Sequence, residues 1–326
     1  MTSTTADAQS AAKPANPVLA EIVRCGFVEG RHRGSLVVLA ADGSVELALG
    51  DIVDPVFPRS STKPVQAAAV LRAGADLSGE RLALAAASHS GERFHLDLVH
   101  RMLAEHGLTE ADLQCPADLP LDREEADAYL SAGGTPTRVA MNCSGKHTAM
   151  LAACKVNGWP TADYLAATHP LQKLVAATLT ELSGEPVAHT GTDGCGAPLL
   201  AVSLTALART FRTFALGGPD TAEGRVAAAM SAHPEYVAGT RRHDTWLMRA
   251  IPDSVTKMGA EAVQAAALPD GRALAFKIDD GSVRALAPVL ARALTSMGVT
   301  GPVVDRLTDN PLLGGGRPVG EIRATF

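Results

Sequence analysis

The chain has 326 residues, 46% hydrophobic and 20% charged, which fits a globular fold with a sizeable core. Its formal net charge of -6 excludes the basic face that nucleic acid demands. No apolar run approaches the roughly 20 residues that cross a bilayer, which argues against a membrane partner.

Met1–Asn16 is rich in Ser, Thr, Ala and Gln and lacks an apolar signal-peptide core. A disordered tail is expected over 1–16 and one domain over 17–326. Val18–Arg24 and Gly34–Ala40 are β-rich, and Val45–Leu49 follows an Asp42–Gly43 turn, which is a hairpin signal. From about 60 to 250 the chain reads mainly as helices. These are Val65–Ala73, Glu80–Ala87, His95–His106, Thr148–Asn157, Pro170–Leu182 and Pro198–Phe214, several closed by Gly or Asn. Strand signals return in Ala262–Leu268 and Ala273–Ile278, which flank Pro269–Asp270–Gly271. Ser282–Met297 reads as a helix and Arg317–Phe326 as a closing strand. Strands at both ends with helices between them predict an α/β fold. One antiparallel sheet is assembled from about 17–59 and 255–326, with a helical lobe inserted at about 60–250. The five cysteines are odd in number and scattered, which suits a reducing compartment, so a cytoplasmic location is expected.

Arg59–Ser60–Ser61–Thr62–Lys63–Pro64 stands just before a helical run. Positions three apart share a helix face, so Ser60 and Lys63 can meet. Proline is tolerated only in a first turn, so Pro64 makes the helix begin close to Ser60. The hydroxyl then lies near unpaired backbone amides suited to an oxyanion, and a neutral lysine amine could take its proton. That lysine needs a depressed pKa, from burial or a second cation. The spacing is common by itself: Ser254–Val255–Thr256–Lys257 matches it too, in what reads as extended chain. A helix N-cap role for Ser60, with Lys63 in solvent, is the bland alternative. Two further stretches add weight. Ala87–Ser88–His89–Ser90–Gly91 presents a serine where the chain must turn, and Lys257–Met258–Gly259–Ala260–Glu261 opens a strand. Serine β-lactamases place a Lys-Thr-Gly strand opposite their Ser-x-x-Lys helix in the same order.

Asn142–Cys143–Ser144–Gly145–Lys146–His147 leads into another helical run, with Cys143, Lys146 and His147 on one face. Thr192–Asp193–Gly194–Cys195–Gly196–Ala197–Pro198 is a glycine-flanked turn that aims Asp193 and Cys195 together. Three readings stay open at this level. Cys143 and Cys195 with a nitrogen ligand bind zinc; Cys143, His147 and Asp193 form a cysteine-nucleophile triad; or both cysteines pack the core.

The stretches 18–26, 57–63, 84–92, 142–147, 192–198 and 257–261 together resemble the Rhizobium-type L-asparaginases, the class 3 or asparaginase II family, from about Val18 to Phe326. The resemblance implies a serine β-lactamase/glutaminase-like fold and hydrolysis of L-asparagine through an acyl-enzyme. It implies two Ser–Lys tandems, Ser60 with Lys63 and Ser88 with Lys257, in which Ser60 is the nucleophile and Lys63 its base. Ser88 and Lys257 would relay protons and lower the pKa of Lys63. It implies zinc on Cys143, Lys146 and Cys195, no organic cofactor, and a homodimer. His147 and Asp193 would line the substrate pocket, and Arg59 would clamp the substrate carboxylate or pair with a structural acid. The family's last motif ends Gly-Ala-Glu-Gly, whereas this chain carries Ala262. Competing expectations are another amide substrate, such as glutamine or a β-lactam or peptide-like amide, and a zinc-holding amino-acid-binding protein without turnover.

Overall fold

The structure is a computed structural model that describes residues 15–326. Residues 1–14 of the expected tail lie outside the described residues. Asn16 is fixed: its amide donates to Asp279 Oδ1 at 2.9 Å and its side-chain oxygen accepts from the Asp51 amide at 3.0 Å.

The chain opens with strands β1 (Val18–Arg24), β2 (Phe27–Leu39) and β3 (Val45–Leu49). A 3-10 turn at Arg59–Thr62 runs into α1 (Lys63–Arg72), α2 (Gly79–Ala85), α3 (Arg93–Glu105), α4 (Arg123–Ser131), α5 (Ser144–Asn157) and α6 (Pro170–Ser183). A short hairpin, β4 (His189–Thr192) and β5 (Pro198–Ala201), precedes α7 (Leu204–Ala215), α8 (Ala222–Ala232), α9 (Pro234–Ala238) and α10 (His243–Ala250). Strands β6 (Val255–Gly259), β7 (Val263–Ala267) and β8 (Ala273–Ile278) follow, then α11 (Leu286–Ser296), α12 (Pro302–Thr308), β9 (Pro311–Gly314) and β10 (Arg317–Ala324).

The main sheet runs β6-β7-β8-β2-β1-β10-β9, with β3 also paired to β2. Its pairings are antiparallel, and it takes its strands from both ends of the sequence. This is the predicted α/β architecture. The period of two along β2 explains how it carries two cores. Val37 and Leu39 face the helical side with Val65, Phe211 and Phe214. Leu36 and Val38 face the other side, against Phe276 and the α11 residues Val289 and Leu290. Each such buried aliphatic side chain contributes roughly 1.5–3 kcal/mol relative to exposure. Alanines 67, 68 and 69 of α1 and 83 and 85 of α2 are buried as well. A chain poor in aromatics thus fills its interior by bringing helices close together.

Element boundaries differ from expectation where local signals compete. Pro198–Phe214 is not one helix: Pro198–Ala201 pairs antiparallel with His189–Thr192, and α7 starts only after Ser203, whose hydroxyl accepts from the Ala206 amide. The predicted helix over 282–297 begins as a 3-10 turn at Val283–Ala285. The Asp42–Gly43 turn joins β2 to β3 as expected.

Strand β6 is the sheet edge, and it lies against the turn that carries Ser60. A Cβ on Gly259 would fall 2.4 Å from Pro58 O, so glycine alone permits that approach. Gly145 does the same for α5: a Cβ there would meet Leu84 of α2 at 2.5 Å.

Candidate active site

Ser60 sits in the 3-10 turn and is partly exposed. Arg59 before it is held at φ 54°, a left-handed conformation costing an L-residue ~1 kcal/mol. Pro64 falls in the first turn of α1, as its chemistry requires. Lys63 is buried, with 1% exposure. Its amine donates to Ala87 O at 2.6 Å, Ser88 Oγ at 2.9 Å and Cys143 Sγ at 3.1 Å. Lys257, fully buried on β6, donates to the same Ser88 Oγ at 3.0 Å and to Met258 O at 2.8 Å. Its partner is therefore Ser88 and not Ser254, whose hydroxyl donates to Ile251 O.

The loop that carries Ser88 is braced from three sides. The Ser88 amide donates to Val237 O at 3.0 Å, the His89 amide to Asn142 O at 3.1 Å, and Arg242 Nη1 to Ser88 O at 2.6 Å. Burial holds both lysines below the ordinary range, Lys257 well below it. For Lys63 the nearby Lys146 charge adds to that shift, while the Cys143 thiol opposes it.

Cys143 caps α5, and Lys146 and His147 lie in its first turn. Lys146 Nζ donates to Cys195 Sγ at 2.9 Å. Cys143 is held well below an ordinary thiol by a hydrogen bond from Cys195 and by the charges of Lys63 and Lys146, against the effect of burial. Cys195 is raised, by its hydrogen bond to Cys143 and by burial. Burial alone would lower Lys146, but the two thiols beside it raise it. Cys195 Sγ lies 3.7 Å from Asp193 Oδ2, and Asp193 Oδ1 accepts from Arg59 Nε at 2.9 Å. Arg59 also approaches Glu261 at 3.8 Å, so it pairs with acids of this chain. His147 Nδ1 contacts Tyr164 Oη at 2.7 Å, while its buried Nε2 has no hydrogen-bond partner.

The Lys63–Cys143 contact joins the serine–lysine and cysteine clusters into one site, at the junction of α1, α2, α5, β6 and the turn before β5. Hydrogen bonds tie Lys63, Ser88, Lys257 and Cys143 together, and Lys146, Cys195, Asp193 and Arg59 to one another. Among the described residues no group of three His, Cys, Asp or Glu side chains could hold a metal. The Cys143–Lys146–Cys195 set adds an amine to two thiols, one of them held well below the ordinary thiol range. The fit of this set to a zinc ion therefore rests on the softness of its two sulfur donors.

Two residues at the site escaped the sequence reading. Arg242 and Asp244 stand in Arg241–Arg242–His243–Asp244, a charge run that reads as a solvated helix start. Asp244 is fully buried beside β6.

The sequence profile described as L-asparaginase II matches residues 20–324. Among curated proteins none matches the sequence. Similar solved structures include a β-lactamase from Mycobacterium bovis at 13% identity and TM-score 0.46, covering 82% of this chain and 95% of that one. A hydrolase with promiscuous acyltransferase activity, EstCE1, is 11% identical at TM-score 0.43, covering 85% and 93% respectively. A β-lactamase from Burkholderia vietnamiensis is 16% identical at TM-score 0.39, covering 82% and 94%.

Proposed function

We propose that this chain, which belongs to the L-asparaginase II family and is on that ground an amidohydrolase, converts L-asparagine to L-aspartate and ammonia by serine–lysine catalysis. The observation that carries the reading is the convergence of two buried lysine amines on one serine hydroxyl, Ser88 Oγ.

In the proposed reaction Ser60 Oγ attacks the side-chain amide carbon and its proton passes to Lys63, whose amine burial keeps available as a base. Ser60 opens a helical turn, where first-turn amides lack intrahelical acceptors, so its own N–H is suited to the oxyanion. Ser88 and Lys257 pass the proton on to the departing nitrogen, ammonia leaves, and a β-aspartyl ester remains on Ser60. Water adds to that ester and the same groups return the proton to the serine. Arg59 and Asp193 form a charged pair at the rim that suits the α-carboxylate and α-ammonium of an amino acid, with His147 behind them. Zinc would be held by Cys143, Lys146 and Cys195, and when bound it supplies a positive charge that orients substrate. The protein is proposed to act as a homodimer in the cytoplasm.

A second reading has its own support. Both lysines contact Ser88 and neither contacts Ser60, which favours acylation of Ser88. One experiment separates the two: ammonia release from L-asparagine and L-glutamine by wild type, Ser60→Ala and Ser88→Ala, with the trapped acyl group located by peptide mass spectrometry. An adduct on the Ser60 peptide upholds the first reading, and an adduct on the Ser88 peptide replaces it. Absence of ammonia from folded, zinc-supplied wild type rejects the asparaginase reading.

A further inference from the structure

Asp244 has no solvent exposure; burial would raise its carboxyl, but the basic groups His243, Lys257 and Arg242 beside it hold it down at about 2. All its hydrogen bonds converge on one short piece of chain. Oδ1 accepts from Thr256 Oγ1 at 3.1 Å and from Gln264 Nε2 at 3.0 Å. Oδ2 accepts from the Met258 amide at 3.0 Å. Thr256 and Met258 are the immediate neighbours of Lys257, and Gln264 is the residue of β7 paired with Met258. Gln264 is itself tied down, donating from Nε2 to Thr256 Oγ1 at 2.7 Å and accepting at Oε1 from His243 Nε2 at 2.9 Å.

Strand β6 is the edge of the sheet, with β7 on one side only. Only one side of β6 is held by a strand ladder, and a slip of one residue would turn Lys257 to the opposite face. A buried carboxylate is a costly way to hold a strand that apolar packing could hold as well. What it secures beyond packing is direction: hydrogen bonds on both sides of Lys257 leave its amine pointing at Ser88.

We propose that Asp244 is a positioning residue for the reaction, pinning the edge strand on both sides of Lys257 so that the lysine amine stays on Ser88 Oγ. The inference rests on the reading in which Lys257 serves serine–lysine chemistry. Asp244→Asn keeps the shape but opposes an amide donor to the Met258 N–H or leaves Thr256 and Gln264 unmatched. The expected result is a fall of about 10²-fold in kcat for ammonia release, with KM changed by much less, the cost of displacing a reacting group by about 1 Å.

The discriminating measurement is a double-mutant cycle with Lys257→Ala. Acting through Lys257, Asp244→Asn adds little once the lysine is gone. Additive losses in kcat overturn the inference and leave Asp244 a fold residue. Thr256→Val removes one hydroxyl from the carboxylate, and a several-fold fall in kcat at constant KM is expected. If Asp244→Asn does not fold, Thr256→Val enters the cycle in its place, and wild-type kcat in that variant overturns the inference. Wild-type activity in Lys257→Ala instead sinks the underlying serine–lysine reading, so the two failures are distinct.

Discussion

Lys63 and Lys257, far apart in sequence, aim their amines at a single oxygen, Ser88 Oγ, at 2.9 and 3.0 Å. The two nitrogens are therefore no more than about 6 Å apart, and two full charges there would repel by about 3 kcal/mol at an effective dielectric of 20. Burial adds to that pressure on both. One amine is thus kept ready to accept a proton while the other donates, and the shared hydroxyl connects them.

Removing one member of the pair should break this connection. Lys257→Met is expected to lower kcat for ammonia release by about 10²–10³, with KM affected far less. Steady-state kinetics on L-asparagine check this, and wild-type kcat in the variant would exclude Lys257 from proton transfer.

Stability should fall on the acid side of neutrality. His89 and His95 stack with ring centroids 5.1 Å apart. Burial holds His95 at about 4 and His89 well below 6.5, so both are neutral in the fold. Unfolded histidine titrates near 6.5. Between that value and about 4 the unfolded chain binds more protons, so stability declines as pH drops through 6.5 and that decline levels off for His95 below 4. Thermal melts at pH 7.5 and 5 are expected to show a lower Tm at pH 5, and His95→Asn should reduce the difference. Equal Tm values for the wild type at both pH values would contradict it.

The β6–β7 turn carries two left-handed non-glycine residues, Glu261 at φ 58° and Ala262 at φ 51°. Glycine adopts that conformation without the Cβ penalty. Ala262→Gly is expected to raise stability by about 1 kcal/mol, read as a higher Tm or denaturation midpoint. A loss would mean that the buried Ala262 methyl packs more tightly than its backbone is strained.

The converse holds at Gly259. A methyl group there meets Pro58 O at 2.4 Å, which forces β6 away from the Ser60 turn. Gly259→Ala should cut kcat/KM by at least about 10²-fold in protein that still folds, since a displacement of about 1 Å suffices for that loss. Near-wild-type kcat/KM would show that the turn and the strand move together.

Zinc content offers an independent check. Cys195→Ser should abolish retention of zinc after dialysis, measured by elemental analysis, while chelation of the wild type raises KM more than it lowers kcat. A collapse of kcat alone on chelation would assign the metal a role other than orienting substrate.

Much of this site was legible in the sequence because its motifs are local. Ser60, Lys63 and Pro64 state where a helical turn begins, and Gly-flanked Cys195 marks a close approach. Spacing names a helix face but not the path of a long side chain, so it did not reveal that Lys63 also reaches Ser88. Asp244 was illegible for a different reason. A carboxylate after Arg242 and His243 looks solvated until α10 packs it beneath β6, a long-range contact without a local signature. Likewise Pro198–Ala201 carries apolar residues that suit helix or strand equally, and only the partner strand His189–Thr192 decides.

Strand β1 lies between β2 and β10, and Thr325 N reaches Leu19 O at 3.1 Å. During synthesis β1 emerges near the beginning and waits for almost the whole chain before its second neighbour exists. Until then one of its edges offers unpaired backbone groups, the kind that recruit another chain. The helical segment between them can pack on local contacts first, whereas the sheet closes last and over the longest sequence separation in the molecule. A chain that has not yet made β10 therefore carries an open edge on β1.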